Sequence, residues 1–407
     1  MYLKRHAEKT IKKLSKMFGA VMVTGPRQVG KTTLLQNYSP KLPYLTMDDS
    51  FLCDSAQNLG NTFFKDNPPP VFIDEIQKAP QLFSQIKIHI DKTHQKGLFF
   101  LSGSQQFQMM KNVSETLSGR IGLVNLLGLS LREFQKIKFD EPFVPSDEYI
   151  FKRNKSHKEL KYDDFWELLH RGLLPELALN KNFDWQLYYA AYIRTYIERD
   201  VRQLINIGDE IKFSRFMRAT AAINGQLLNL GGISREVGIS QPTAERWLSV
   251  LVASNIVYLL KPFYNNVFKR SVKTPKLYFM DSGLAAYLTE WNNPLALRSG
   301  AMAGHFFESF VISEIIKSYY NQGILEPPLY FYRDKDMKEI DLLIEKDGML
   351  HPIEIKKHSD PSIKDIKSFN VLDKIPNIIR GNGGVICMFD RLASISEKDK
   401  IIPVSYL

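Results

Sequence analysis

The chain has 407 residues, 44% of them hydrophobic and 24% charged, with 54 Lys and Arg against 44 Asp and Glu and a formal net charge of +10. That length predicts two or three domains with cores of their own, and no run approaches the roughly 18 uninterrupted apolar residues of a membrane-spanning helix, so a soluble globular protein is expected. Cys53 and Cys387 are too few and too far apart for a disulfide framework or a zinc pattern, the basic amino-terminal segment lacks a secretory apolar core and points to the cytoplasm, and the positive balance favours a polyanionic partner.

Residues 1–17 suit a helix leading into a core, and residues 18–24 a buried strand. Next come Gly25, Pro26, Arg27, Gln28, Val29, Gly30, Lys31, Thr32 and Thr33, in which two glycines bracket four residues ahead of a Lys-Thr pair. This is the spacing of a phosphate-binding loop. The glycines permit close backbone approach, the amides and the following helix start favour negative charge, Lys31 can reach the β- and γ-phosphates, and Thr32 can ligate Mg²⁺. Residues 44–47 read as a second strand, with Asp48 and Asp49 at its polar exit, placed either near the nucleotide or to cap and solubilise a turn.

Three prolines, Pro68 to Pro70, deliver the short strand Val71-Phe72-Ile73, which ends in Asp74 and Glu75. With the loop upstream, Asp74 is the expected metal holder and Glu75 the residue that orients or deprotonates the attacking water. A helix is predicted over 82–90 and a strand over 97–101, ending at Ser102-Gly103-Ser104. Ser102, slightly ahead of Ser104, could hold water or the γ-phosphate, or satisfy a turn. Arg120 either stabilises phosphoryl charge in a neighbouring subunit or pairs with an acid on the surface. Alternating strand and helix predicts a parallel sheet covered on both faces.

The strings GPRQVGKTTL, VFIDEIQ, FFLSGS, LSGR and LREF together resemble the prokaryotic AAA-type ATPases that carry an uncharacterised carboxyl-terminal domain. That resemblance implies an AAA-type P-loop core over residues 1–135 with ATP and Mg²⁺ as cofactors. It implies Lys31 and Thr32 at the nucleotide, Asp74 and Glu75 as the hydrolytic acids, Ser102 as a sensor and Arg120 as an arginine finger in trans, hence a nucleotide-dependent homo-oligomer.

Residues 136–210 read as a linker or insertion followed by a helical region. A long helix is predicted over 185–204, whose Tyr188, Tyr189, Tyr192 and Tyr196 suit core packing better than base stacking; Arg194, Arg199 and Arg202 face either solvent or a neighbour's nucleotide. A helix is predicted over 213–228. Residues 233–248 then divide into a short helix, a turn at Gly238 and a second helix capped by Ser240, the pattern of a helix-turn-helix. Strands at 256–260 and 276–280 would complete a winged-helix-like domain over 211–285, with Lys269, Arg270 and Lys273 in the intervening loop. Gln241, Thr243 and Arg246 are the candidate DNA contacts; a protein-docking module or an ATPase lid is the competing use.

Over 286–407 a helix is predicted at 303–320 carrying Glu308. Strands at 338–344 and 353–356 are joined by a charged turn, so that Glu339 and Asp341 share one face and Glu354 and Lys356 another. Pairing of these strands would bring Asp341 and Glu354 together as ligands of a second Mg²⁺ or Mn²⁺, with Lys356 orienting water and Glu308 adding a carboxylate. This arrangement resembles the PD-(D/E)XK nuclease fold, with Ile340 where the simplest form of the motif has proline; alternating charges on a hairpin face are the plain alternative. The expected function is Mg²⁺-dependent ATP binding and hydrolysis coupled to a nucleic-acid-associated carboxyl domain, DNA being the expected nucleic acid. An ATP-regulated DNA nuclease and a nucleotide-switched protein-interaction scaffold are the alternatives.

Overall fold

Five consecutive buried residues, Ala20–Thr24, form β1 and enter a five-stranded sheet with β2 (Tyr44–Thr46), β3 (Val71–Asp74), β4 (Phe99–Gly103) and β5 (Ile121–Asn125). The strand order is β2-β3-β4-β1-β5 and every pair is parallel. Strands buried on both faces read as continuous apolar runs rather than alternation, which is what Ala-Val-Met-Val and Val-Phe-Ile are. Helices α1 (Ala7–Met17), α2 (Lys31–Tyr38), α3 (Ser50–Asn58), α4 (Phe63–Asp66) and α5 (Leu82–Thr93) accompany it. Met22, Ile73, Phe83, Ile86, Phe99 and Leu101 lie in its buried core. Asp49 caps α3 by accepting from the amides of Phe51 and Leu52.

The computed structural model describes residues 2–103, 116–197, 210–264, 274–334 and 336–407. Ser104, Arg199, Arg202, Lys269, Arg270, Lys273 and the side chain of Tyr196 lie outside the described residues. The chain forms two compact units, the first comprising Met1–Leu129, Ala253–Asn255 and Tyr319–Leu325, the second Ser130–Val252, Ile256–Ser318 and Glu326–Leu407. Among the described residues no helix is long and apolar enough to cross a membrane.

In the second unit the helix predicted over 185–204 is, among its described residues, α-helical at Trp185–Tyr192 and a π-helical turn at Ile193–Ile197, on which Arg194 is exposed. Tyr189 and Tyr192 are buried, Tyr189 packing against Trp185 and Tyr287, so these rings are not presented to a base. The helix predicted over 213–228 is Glu210–Ala222. It stops because Gly225 turns the chain at φ 75° and donates its amide to the Leu277 carbonyl, starting β6 (Gln226–Leu227). Helix Leu230–Val237 ends at Gly238 in the left-handed region, and the Ser240 hydroxyl accepts from the Thr243 amide at the start of helix Gln241–Ala253. The apolar face of that helix, Ala244, Trp247, Leu248 and Leu251, is buried, with the Trp247 ring edge-on to Phe213 and Phe216.

Strands β7 (Val257–Pro262) and β8 (Lys276–Phe279) pair antiparallel, and β6 pairs with β8. Strand β9 (Leu329–Arg333), β10 (Glu339–Lys346) and β11 (Met349–Ile355) form a meander whose last turn is Asp347-Gly348, both at positive φ. An Asp-Gly pair at positive φ is the tight hairpin turn favoured by strand twist. Short β12 (Ile379–Arg380) pairs with β11, and β13 (Gly383–Cys387), β14 (Ala393–Ser394) and β15 (Asp399–Pro403) extend the sheet. The order is β14-β15-β13-β11-β10-β9-β7-β8-β6. A domain boundary is expected near residue 286, yet Lys261 and Pro262 of β7 pair in parallel with Tyr330 and Phe331 of β9. One sheet therefore runs through both of the segments that the sequence divides.

Candidate functional site

The nucleotide loop springs from the carboxyl end of β1. Gly25 stands at φ 144°, where a Cβ atom would lie 2.0 Å from the Leu126 carbonyl oxygen, so backbone contact alone demands glycine. Gly30 is left-handed at φ 88° and leads into α2, and Gln28 is also at positive φ. Pro26 and Val29 are buried, Arg27 is half-buried, and Gln28 and Thr33 are exposed. The Lys31 ammonium is buried and donates to the carbonyls of Gly25 (3.0 Å) and Pro26 (2.6 Å).

Asp74 ends β3 on the same sheet edge. Its carboxylate accepts from the Thr32 hydroxyl (2.9 and 3.2 Å), from the Tyr44 hydroxyl (3.0 Å) and from the Ser102 hydroxyl. Ligands of parallel sheets collect at the carboxyl ends of the strands, and β1, β3 and β4 each send one element of this cluster there. Glu75 follows in the left-handed region at φ 52°, ψ 42° and accepts from the Gln77 amide. Burial, and then the neighbouring Asp74 charge, push the Tyr44 hydroxyl up to about 12, so it stays a donor.

Arg120 takes the second of its two expected places, beside an acid on the surface. It immediately precedes β5, whose first residue is level with Ala20, and its carbonyl accepts from the Ala20 amide, whereas Thr24 at the loop is level with Asn125. Arg120 is therefore at the opposite edge, roughly 13 Å from the loop at about 3.3 Å per residue. There it pairs with Asp91, Nη2 lying 2.9 Å from Oδ2. An arginine before an apolar run was legible; the edge to which the run delivers it was not.

Two residues that sequence reading passes over support the loop. Tyr44 is brought in because β2 adjoins β3, Thr46 pairing with Asp74. Arg5 is buried, and its guanidinium donates to the carbonyls of Val29 (2.8 Å), Leu127 (2.8 Å) and Gly128 (3.1 Å). It thus ties the phosphate loop to the segment that follows β5. Arg5→Ala is expected to cost this unit about 2–3 kcal/mol through lost charge-assisted hydrogen bonds. Faster hydrogen exchange at the amides of Gly30, Lys31 and Thr32 would register it; unchanged exchange would show that the loop holds itself.

The second unit gathers the other predicted acids. Leu342 pairs with Ile353, so Asp341 and Glu354 follow one step along the hairpin. Asp341 Oδ2 accepts from the Ile355 amide (2.8 Å) and from Lys356 Nζ (3.2 Å), and Lys356 also donates to Glu354 Oε2 (2.6 Å). Ser368 donates to Glu354 Oε1 (2.8 Å). Glu308 reaches the group from helix Ala303–Tyr320. What sequence reading misses is β8: Lys276 Nζ lies 3.0 Å from Glu308 Oε1 and 3.9 Å from Asp341 Oδ1 and is paired with Glu339, while the Tyr278 hydroxyl also donates to Glu308. Lys276 and Tyr278 are two residues apart and share a strand face. Glu308, Asp341, Glu354 and Lys356, expected to form a second metal site, are instead an ion-paired cluster. Among the described residues no group of three or more His, Cys, Asp or Glu side chains is arranged to hold a metal ion.

Burial pushes Glu308 up to about 7, against the pull of Lys276. Burial and then the Asp341 charge push Glu354 up to about 8. Burial also opposes ionisation of Asp341, but Lys356, Lys276 and the Ile355 amide outweigh it and hold that carboxyl low. Lys276 and Lys356 are held above the ordinary lysine value by these acids despite burial. A carboxyl raised in the folded state stabilises fully below its unfolded value and loses that contribution as pH rises through the folded one. Glu308 and Glu354 therefore withdraw stability between about 4.5 and 8, while Asp341 acts only as pH falls below its unfolded value of 3.8. Urea-unfolding stability is expected to decline across that window, and Glu354→Gln to flatten the decline by up to about 1.4 kcal/mol per pH unit. An identical slope in the variant would place the Glu354 proton elsewhere.

Of the candidate DNA contacts, Gln241 and Arg246 are exposed and Thr243 is half-buried. Gln241 donates to Glu245 (3.1 Å), and the Thr243 hydroxyl lies 2.8 Å from that of Ser240.

Residues 18–135 match an AAA domain family, residues 162–295 a domain of unknown function, DUF8612, and residues 303–407 another, DUF4143. The AAA match and the parallel sheet around the loop make the first unit a P-loop ATPase core. Among solved structures the Walker-type ATPase PABY2304 of Pyrococcus abyssi is similar at a TM-score of 0.45 and 13% identity, covering 70% of this chain and 96% of that one. A STAND protein of Pyrococcus horikoshii with a tetratricopeptide repeat sensor is similar at 0.26 and 12%, covering 80% and 48%. The uncharacterized protein MJ1544 of Methanocaldococcus jannaschii is 24% identical over 388 residues, 87% of this chain and 81% of its own. The uncharacterized protein Rv2008c of Mycobacterium tuberculosis is 30% identical over 348 residues, 84% of this chain and 71% of its own. At that identity and coverage, the chain belongs to the same family as Rv2008c.

Proposed function

We propose that the chain is a Mg²⁺-dependent ATPase whose nucleotide cycle governs a nucleic-acid-associated carboxyl-terminal part. One observation carries the ATPase reading: the Thr32 and Ser102 hydroxyls and the Asp74 carboxylate meet at the strand edge from which the phosphate loop springs. Thr32 and Asp74 offer the hard oxygen donors that suit Mg²⁺, which when bound would neutralise phosphate charge. Lys31 exchanges its loop carbonyls for phosphate oxygens, Glu75 orients and deprotonates water, and Ser102 holds the γ-phosphate or that water.

The net charge of +10 and the exposed Gln241 and Arg246 support a nucleic-acid partner. Helices Leu230–Val237 and Gln241–Ala253 with β6, β8 and β7 fit a winged helix, and the β10–β11 hairpin beside helix Ala303–Tyr320 resembles a nuclease-like framework used for binding. Duplex DNA is expected to bind in a salt-sensitive way, to change ATP turnover, and to bind more weakly to Arg246→Glu, as fluorescence anisotropy and phosphate release would register. DNA that neither binds nor alters turnover would favour a nucleotide-switched scaffold for protein partners.

A further inference from the structure

We propose that the Lys276 ammonium is the resident cation of the carboxylate cluster, and that the cluster takes no divalent metal while Lys276 is in place. Four carboxylates, Glu308, Glu339, Asp341 and Glu354, converge from helix Ala303–Tyr320, β10 and β11. Three of them, Glu308, Glu339 and Asp341, surround one buried Nζ atom from β8. The remaining oxygens on the far side are committed: Asp341 Oδ2 to the Ile355 amide and Lys356, and both Glu354 oxygens to Lys356 and Ser368. A divalent cation needs several oxygens of such acids at once. Here Glu308 Oε1 and Asp341 Oδ1 already share an ammonium, at 3.0 and 3.9 Å.

Like charge makes the two occupants exclusive. A metal bridging Glu308 and Asp341 would sit within a few ångströms of Nζ, in a buried setting where charges are weakly screened. Lys276 has no open route of retreat, for it is almost fully buried, with its ammonium 5.6 Å from the Phe331 ring and Tyr278 hydrogen-bonded to the same Glu308 oxygen. The residues that resemble a nuclease centre thus do not fit a nuclease metal, and the lysine that fills the place comes from a strand remote from the motif in sequence. Removing the ammonium while keeping its length leaves a carboxylate pocket with a deficit of positive charge, which is what a metal site is.

Manganese chloride is the probe, titrated by calorimetry and by electron paramagnetic resonance into the nucleotide-free full chain. Wild type is expected to give no manganese signal that Asp341→Asn removes. Lys276→Met is expected to gain one equivalent, bound at least about tenfold more tightly than by wild type, and to lose it in Lys276→Met with Asp341→Asn. If Lys276→Met is poorly folded alone, a manganese-dependent rise of its melting temperature, absent in the double variant, reads out the same gain. An Asp341-dependent manganese site in wild type would overturn the proposal whatever the variant does. So would a Lys276→Met protein that neither binds manganese nor is stabilised by it.

Discussion

Glu75→Gln is expected to bind ATP as wild type does and to hydrolyse it roughly 10²–10⁴-fold more slowly, the usual contribution of a positioned general base. Glutamine keeps the shape and the contact to Gln77 but cannot take a proton. The backbone at Glu75 lies in the left-handed region, at φ 52° and ψ 42°, a conformation that costs a non-glycine residue about 1 kcal/mol or more. That backbone turn ends β3 at Asp74 and leaves the Glu75 carboxylate accepting from the Gln77 side-chain amide. Coupled measurements of nucleotide affinity and steady-state phosphate release decide the matter. Equal loss of both would mean that Glu75 holds the loop, and loss of neither would remove it from the reaction.

Lys276→Met is expected to destabilise the second unit by about 3–5 kcal/mol in urea unfolding, the range for breaking a buried ion pair on one side only. The methionine fills the same volume, so little of the loss is packing. It arises because the buried Glu308 keeps its desolvation while losing the ammonium that offset it, the part-exposed Glu339 adding less. A double change, Lys276→Met with Glu308→Gln, should recover part of the loss, and the cycle of single and double variants measures the coupling. Additive losses would mean that the two groups meet without supporting each other.

The phosphate loop, Asp74 and Glu75 were legible because each sits next to the structure that makes it useful: a strand, a glycine turn, a helix start. The Asp341–Glu354 encounter was legible for a related reason, since two strands and a tight Asp-Gly turn leave little freedom of register. Arg5, Tyr44, Lys276, Tyr278 and Ser368 were not, because their partners are brought close by strand order and by contacts distant in sequence. Periodicity tells which face of a strand is buried and is silent on what covers it. Arg120 shows the same limit from the other side, for the direction of β5 rather than the identity of the residue decides which sheet edge it reaches.

Pairing of β7 with β9 bears on how the chain can be dissected. A fragment cut near residue 286 would strip β7 of its parallel neighbour on one side and leave β9 bare on the other, two unprotected sheet edges of the kind that seed aggregation. The segment from β6 to β8 and the DUF4143 segment are therefore heritable as a pair: recombination or truncation between them should yield insoluble halves, and a cut ahead of Ser130 would likewise strip the first unit of Ala253–Asn255 and Tyr319–Leu325.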